Sequence, residues 1–224
     1  MKEEINQYYD KIAKDYDTSR FSNSYGKYIN NQEDRIIRKY LNEENVSLNL
    51  DLACGTGRFL DYADYGLDIS SEMIKIAKDR FSNKDIVLGD AEQLPFENKY
   101  FENIISFHLF MHLDIEVMKK ILSETNRVLK KDGLFIFDVP SLKRRIVTGY
   151  RSKSWHGGNQ IDINTLKKIT DKDWNIESFY GIAFFPIHRI PKKIRRFFIS
   201  IDNFLCKSFL KEYSSHLIFV LRKK

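Results

Sequence analysis

Asp51, Asp68 and Asp90 each close a short apolar run, and Gly55 and Gly57 follow the first of them within one turn. Acids at the carboxyl ends of successive strands can face a single crevice, where open α/β sheets bind ligands. Glycines there let the backbone bend sharply or press against a ligand. A helix beginning after Gly57 would turn its N-terminus, and its affinity for a carboxylate, toward the same crevice. Asp68 is suited to accept both hydroxyls of a ribose. Asp90 can accept from an exocyclic amine while the Ala91 N–H donates to a ring nitrogen. Ser106, Phe107 and His108 close a further apolar run and join the same edge. Together these groups suit a nucleoside with an amino-acid tail.

The elements that must position them read as strand–helix alternation. Strands are expected at 46–52, at a run ending in Leu67-Asp68, at 86–88, 101–107 and 134–139. Short helices should fill 58–62 and 72–81, the latter capped by Ser70, and a longer one should start at Asp114 and stop at Lys131-Asp132-Gly133. Apolar runs such as Phe135-Ile136-Phe137 fit strands buried on both faces. Pro140, lacking an N–H, should break the ladder. A basic loop is expected over 141–160, a helix over 163–169, and strands over 174–187 and 216–221. Two late strands without a crossover imply an antiparallel edge hairpin. The fold class is therefore α/β: a seven-stranded, mostly parallel sheet with helices on both faces. Residues 1–45 read as two helices, 3–16 and 24–41, the second carrying Tyr28, Ile29, Ile36, Ile37 and Tyr40 at helical spacing.

Five motifs in order resemble class I methyltransferases that use S-adenosylmethionine (SAM). Asp51-Leu-Ala-Cys-Gly-Thr-Gly57 is similar to motif I, Gly66-Leu-Asp68-Ile-Ser-Ser-Glu-Met73 to the second-strand motif, and Gly89-Asp90-Ala-Glu-Gln-Leu-Pro-Phe96 to the third. The stretch Phe101 to Leu113 and the run Arg127-Val-Leu-Lys-Lys-Asp-Gly133 match the later patterns. The resemblance covers residues 8–139, and the nearest group is the type 11 methyltransferases, which include quinone- and small-metabolite-methylating enzymes. It implies a Rossmann-like fold and SAM as cofactor. The backbone from Ala53 through Gly55 to Gly57 would hold the methionine part, which Asp51 would orient. Asp68 would bind the ribose, Ile69 would lie against the adenine, and Asp90 and Ala91 would read its edge. The backbone of Ser106 and Phe107 would lie near the methionine amino group. Residues 1–45 would form a helical lid closed by Tyr16, over a SAM-binding domain at 46–224 with 189–211 inserted as a helix between the last two strands. Ala53 stands where the family often has glycine, and the stretch from Gly57 to Asp68 is short.

The implied reaction moves the methyl group of SAM to a small-molecule O-, N- or C-nucleophile by in-line displacement, releasing S-adenosylhomocysteine. A hydroxyl or protonated amine acceptor needs a base. His108 and His156 are the candidates, with His188 beside Arg189 a further one. His112 is expected to cap or pack, and Tyr9, Tyr16 and Arg20 belong to the lid.

The chain has 224 residues, 42% of them hydrophobic and 30% charged, which is globular composition. No run approaches the roughly 20 apolar residues of a membrane span, and residues 1–10 are too polar for a signal peptide. The two cysteines, Cys54 and Cys206, lie far apart with no metal-ligand spacing around them, so a cytoplasmic protein without a metal is expected. Residues 1–140 hold 19 basic and 25 acidic side chains, and 141–224 hold 18 and 6. The basic back half, with Ile194, Phe197, Phe198, Ile201, Leu205 and Phe209 at helical spacing, suits a hydrophobic or anionic acceptor, a membrane surface, or plain packing of 189–211. The oligomeric state is not legible. A dinucleotide-dependent oxidoreductase is disfavoured because the third glycine is missing after Gly57. RNA-directed methylation stays open as an alternative, although the fourth strand ends Ser-Phe-His-Leu rather than Asn/Asp-Pro-Pro-aromatic, as does a SAM-binding partner protein without turnover.

Overall fold

A computed structural model describes residues 2–42, 48–152, 154, 155 and 157–224, apart from the side chains of His188 and Lys192. The strands are β1 (Asn49–Leu52), β2 (Tyr65–Asp68), β3 (Asp85–Leu88), β4 (Phe101–Ser106), β5 (Leu129–Pro140), β6 (Trp174–Ile182) and β7 (His216–Lys223). They form one sheet in the order β3-β2-β1-β4-β5-β7-β6. The first five are parallel neighbours, and β7 runs antiparallel between β5 and β6. The expected Rossmann-like sheet with its antiparallel edge hairpin is what the chain forms. The helices are α1 (Lys2–Ile12), α2 (Tyr16–Arg20), α3 (Ser24–Ile37), α4 (Ser71–Arg80), α5 (Ile115–Val128), α6 (Leu142–Thr148), α7 (Ile163–Thr170) and α8 (Lys192–Leu205).

The two-residue period of β5 divides the core. Phe135, Phe137 and Val139 pack on one face with Phe101, Phe110 and Phe219. Leu134 and Ile136 pack on the other with Ile29, Ile36 and Ile37 of α3. Asp138 belongs to this second register and is buried there, toward α3. The caps follow the sequence: Ser70 Oγ accepts from Met73 N, and Asp114 accepts from Glu116 N and Val117 N.

Five local expectations are corrected. The helix expected over 58–62 is a single 3₁₀ turn, Leu60–Tyr62. Ala53, Gly55 and Gly57 all have positive φ, so this turn does not run directly into a helix. α5 gives way to β5 at Leu129 instead of running to Gly133, with Asp132 at φ 64° making the kink. Pro140 does not break the ladder: it is the last residue of β5, opposite His216, and its carbonyl accepts from Ile161 N. The loop expected over 141–160 contains α6, capped by Ser141 and closed by Gly149 at φ 64°. The strand expected to reach Ile187 stops at Ile182, because Ala183 turns to φ 51°. Residues 43–45 of the expected lid and 46–47 of the expected first strand lie outside the described residues, and the strand is described from Asn49.

α8 lies on α3 through a buried acid. Asp202 accepts from Tyr28 Oη (2.5 Å) and from Phe185 N (2.5 Å), and Gln32 donates to its Oδ2 at 3.4 Å. Among the described residues no helix is long and apolar enough to cross a membrane.

Candidate active site

The carboxyl ends of β1, β2, β3 and β4 meet α1, α2 and α3 around a chain of connected cavities. At the tip of β2, Asp68 Oδ2 accepts from Gly55 N (2.8 Å) and Oδ1 from Ser70 N (2.9 Å). Both oxygens keep a free lone-pair direction, and burial raises the carboxyl above its ordinary value, so a hydroxyl donor suits it. Ile69, Ala91, Leu109, Leu113 and Val117 line an apolar slot beside it that ends at Asp90. A Cβ on Gly55 would meet nothing within 4 Å, so its backbone faces open space. Asp51 closes the inner recess with Tyr16, Ala53, Arg58 and Phe107. Burial pushes its carboxyl up to about 8 against the pull of Arg58, so a cationic group bound beside it would restore its charged form. An apolar slot, a hydroxyl acceptor, exposed backbone and a cation-seeking acid in sequence fit an adenosyl amino acid.

Asp51, Ala53, Gly55, Asp68, Ile69, Asp90, Ala91, Phe107 and Tyr16 thus gather in one place. Two expected residues do not line it. Gly57, at φ 89°, packs against Phe81, where a Cβ would stand 2.9 Å from Cε2. Ser106 is buried behind the wall. Asp90 is also already engaged: Lys2 of α1 reaches its Oδ2 at 2.6 Å and Glu92 at 2.7 Å.

The N-terminal segment expected to be a lid is tied to the strand ends by acids that sequence reasoning passed over. Asp10 accepts from Ser70 Oγ (2.6 Å), and Asp17 accepts from Thr56 Oγ1 (2.7 Å) and pairs with Arg80.

His108, after β4, lies on the walls of both the inner cavity and a second one lined by Arg20, Phe21, Tyr25 and Met111. Its backbone is left-handed, φ 65°, held by its N–H to Asp138 Oδ1 at 2.5 Å. Its Nε2 stands 3.0 Å from Glu33 Oε1, and its Nδ1 stands 3.9 Å from Asp138 Oδ2. Glu33 also pairs with Arg58. Burial alone would raise the Glu33 carboxyl, yet Arg58 and His108 bring it down to about 2. Burial would lower the His108 imidazolium, and the two carboxylates overcome this and raise it. Glu33 and Asp138 were not foreseen. The signal was available: Glu33 sits on the apolar stripe of α3, one turn from Ile29 and from Ile37, and Asp138 interrupts the apolar run of β5.

His112, expected to cap or pack, is buried between Tyr9 and Trp155 and also lines both cavities; its Nε2 lies 2.7 Å from Tyr9 Oη. His216 joins the outer wall unforeseen. His156 and the side chain of His188 lie outside the described residues. Cys54 is buried in the turn, as a small packing residue would be, and burial raises its thiol.

Residues 50–137 match the methyltransferase-domain family. An uncharacterised protein of Methanocaldococcus jannaschii is 36% identical over 98% of this chain and 90% of its own length. A demethylmenaquinone methyltransferase of Thermotoga maritima is 32% identical over 61% of this chain, which spans 62% of that enzyme. In fold, the chain is similar to a SAM-dependent methyltransferase from Thermotoga maritima described as a possible histamine N-methyltransferase. That likeness has a TM-score of 0.72 at 18% identity over 98% of this chain and 99% of that one.

Proposed function

Because the chain belongs to the SAM-dependent methyltransferases of the type 11 group, we propose that it methylates a small hydrophobic acceptor bearing an ionisable group. Bound SAM supplies a methyl group already activated on a sulfonium. Asp51 would hold its ammonium, the Gly55 backbone its carboxylate end, Asp68 its ribose hydroxyls, and Asp90 with Ala91 its adenine edge. Ile69 and Leu113 would sandwich the ring.

The observation that carries the acceptor reading is the shared wall. Tyr9, Tyr16, His108 and His112 line both the inner cavity and the outer one. A molecule in the outer cavity therefore approaches the inner one past His108. The aromatic lining of Tyr9, Phe21 and Tyr25 suits an apolar body, and Arg20 offers one cation to an anionic substituent. This chemistry agrees with the quinone named for the Thermotoga relative. His108 is the group to take a proton from an acceptor hydroxyl or ammonium, with Glu33 and Asp138 as positioning residues that fix its ring. Excluding water and aligning the nucleophile supply the rest of the acceleration. Tyr16, α1 and α2 would serve as the lid.

The test is S-adenosylhomocysteine release from SAM with reduced demethylated quinones, substituted phenols and small aromatic amines. Turnover with a quinol or phenol supports the reading. SAM binding by calorimetry with no release from any of them, or from a metabolite extract, would leave a cofactor-binding protein without turnover.

A further inference from the structure

The sheet edge that carries the cavities also carries a surface that water alone does not explain. β5 ends at Pro140, and β7, running the other way, begins beside it at His216. α6, following β5, and the segment between β6 and β7 therefore emerge on the same edge as the site. On α6, Ile146 and Val147 are about two-thirds exposed or more; on α8 Phe197 is 68% and Phe204 71% exposed, and Phe209 beyond it is 90% exposed. Lys193, Arg196, Phe197, Ser200 and Phe204 recur at helical spacing along α8, so cations and aromatic rings share its solvent side. The opposite side is anchored by Asp202 on Tyr28 and packed through Phe198 and Ile199.

The charges point to the occupant. Residues 142–152 hold four Lys or Arg and no acid, and 189–211 hold seven with one acid, Asp202. That acid is fully buried. Large exposed apolar groups mark a contact surface. Aromatic side chains interleaved with cations match the boundary of an anionic bilayer, where rings enter the headgroup layer and cations meet phosphate. A buried protein interface would instead deplete such charge.

We propose that α6, α8 and the turn at Phe209 dock the protein on an anionic bilayer surface. The proposal concerns this surface alone and stands apart from the acceptor reading. Sedimentation of the full chain with vesicles tests it, using phosphatidylcholine alone and an equal mixture of phosphatidylcholine and phosphatidylglycerol. Binding to the mixture, weak binding to phosphatidylcholine, and weakening by salt are expected. Removing a cation should lower partitioning by about fivefold, so Lys193→Glu with Arg196→Glu should lower it well over tenfold. Phe197→Ser with Phe204→Ser should also lower it at least tenfold. These positions are exposed, and S-adenosylhomocysteine binding by calorimetry, unchanged, checks the fold. Three results overturn the proposal. One is no sedimentation with the mixture. Another is loss through the charge variant alone with competition by RNA, which marks simple polyanion attraction. The third is a dimer in solution that the phenylalanine variant dissociates without any vesicle binding.

Discussion

Glu33 Oε1 lies 3.0 Å from His108 Nε2, joining the middle of α3 to the tip of β4 at the junction of the two cavities. Asp138 faces the other side of the same ring, and Arg58 faces Glu33. Two buried carboxylates thus face Arg58 and an imidazole whose protonated form they favour. Glu33, His108 and Asp138 offer ligand atoms close enough to share an ion, and Arg58 already balances part of their charge. Losing the proton leaves the cluster one negative charge in excess, which is why the imidazolium persists above its ordinary range.

A base must be deprotonated to act, so kcat/KM for a phenolic acceptor should rise with pH along a limb above 6.5, the ordinary histidine value. Glu33→Gln should move that limb down. His108→Asn should abolish it and lower kcat by roughly 10²- to 10⁴-fold. A limb identical in the wild type and in His108→Asn would remove His108 from the chemistry.

The same cluster sets a stability signature. The folded-state value of Glu33, about 2, is below the ordinary 4.5, so its contribution is present above 4.5 and is lost as pH falls from there toward 2. His108 has the opposite sign: its raised value stabilises below 6.5, and this is lost as pH rises through the folded value. Thermal melts should therefore flatten across the acid range in Glu33→Gln. Arg58→Met, which strands a buried carboxylate, should cost about 3–5 kcal/mol near neutral pH.

The sequence made the sheet legible because buried parallel strands write continuous apolar runs, and because Asp51, Asp68 and Asp90 stand at their ends. It concealed what depends on distant pairing. Glu33 and His108 are held together by the packing of α3 on β5, which no local pattern records. Lys2 on Asp90 is equally non-local. α6 was hidden for a different reason: Lys143, Arg144 and Arg145 read as a solvated loop, while Ser141 and Gly149 cap a helix around them. The shortness of the stretch after Gly57 was legible, but its reduction to a 3₁₀ turn was not, since Ala53 adopts a left-handed φ that its residue type does not announce.

Lys2 occupies the acid proposed to read the adenine edge. The pair is half-exposed, so breaking it should change stability by only about 0–1 kcal/mol. Lys2→Ala should leave the melting temperature almost unchanged and tighten S-adenosylhomocysteine binding by up to about fivefold, the equivalent of 1 kcal/mol in affinity. Weaker binding in Lys2→Ala would mean that the lysine assists the ligand.

Asp68 and Gly57 belong to the same motif-bearing edge, but the geometry gives them separate duties. Asp68 lines the cavity, so Asp68→Ala should weaken S-adenosylhomocysteine binding by about tenfold to a hundredfold, as loss of a charged hydrogen-bonding partner does. Gly57 fronts Phe81 instead. Gly57→Ala forces a side chain into φ 89° and into contact with that ring. It should cost about 1–3 kcal/mol in stability, while calorimetry well below the melting transition returns an unchanged affinity. If Gly57→Ala weakened binding as much as Asp68→Ala without lowering the melting temperature, the glycine would be touching the ligand and the assignment of its role to packing would be wrong.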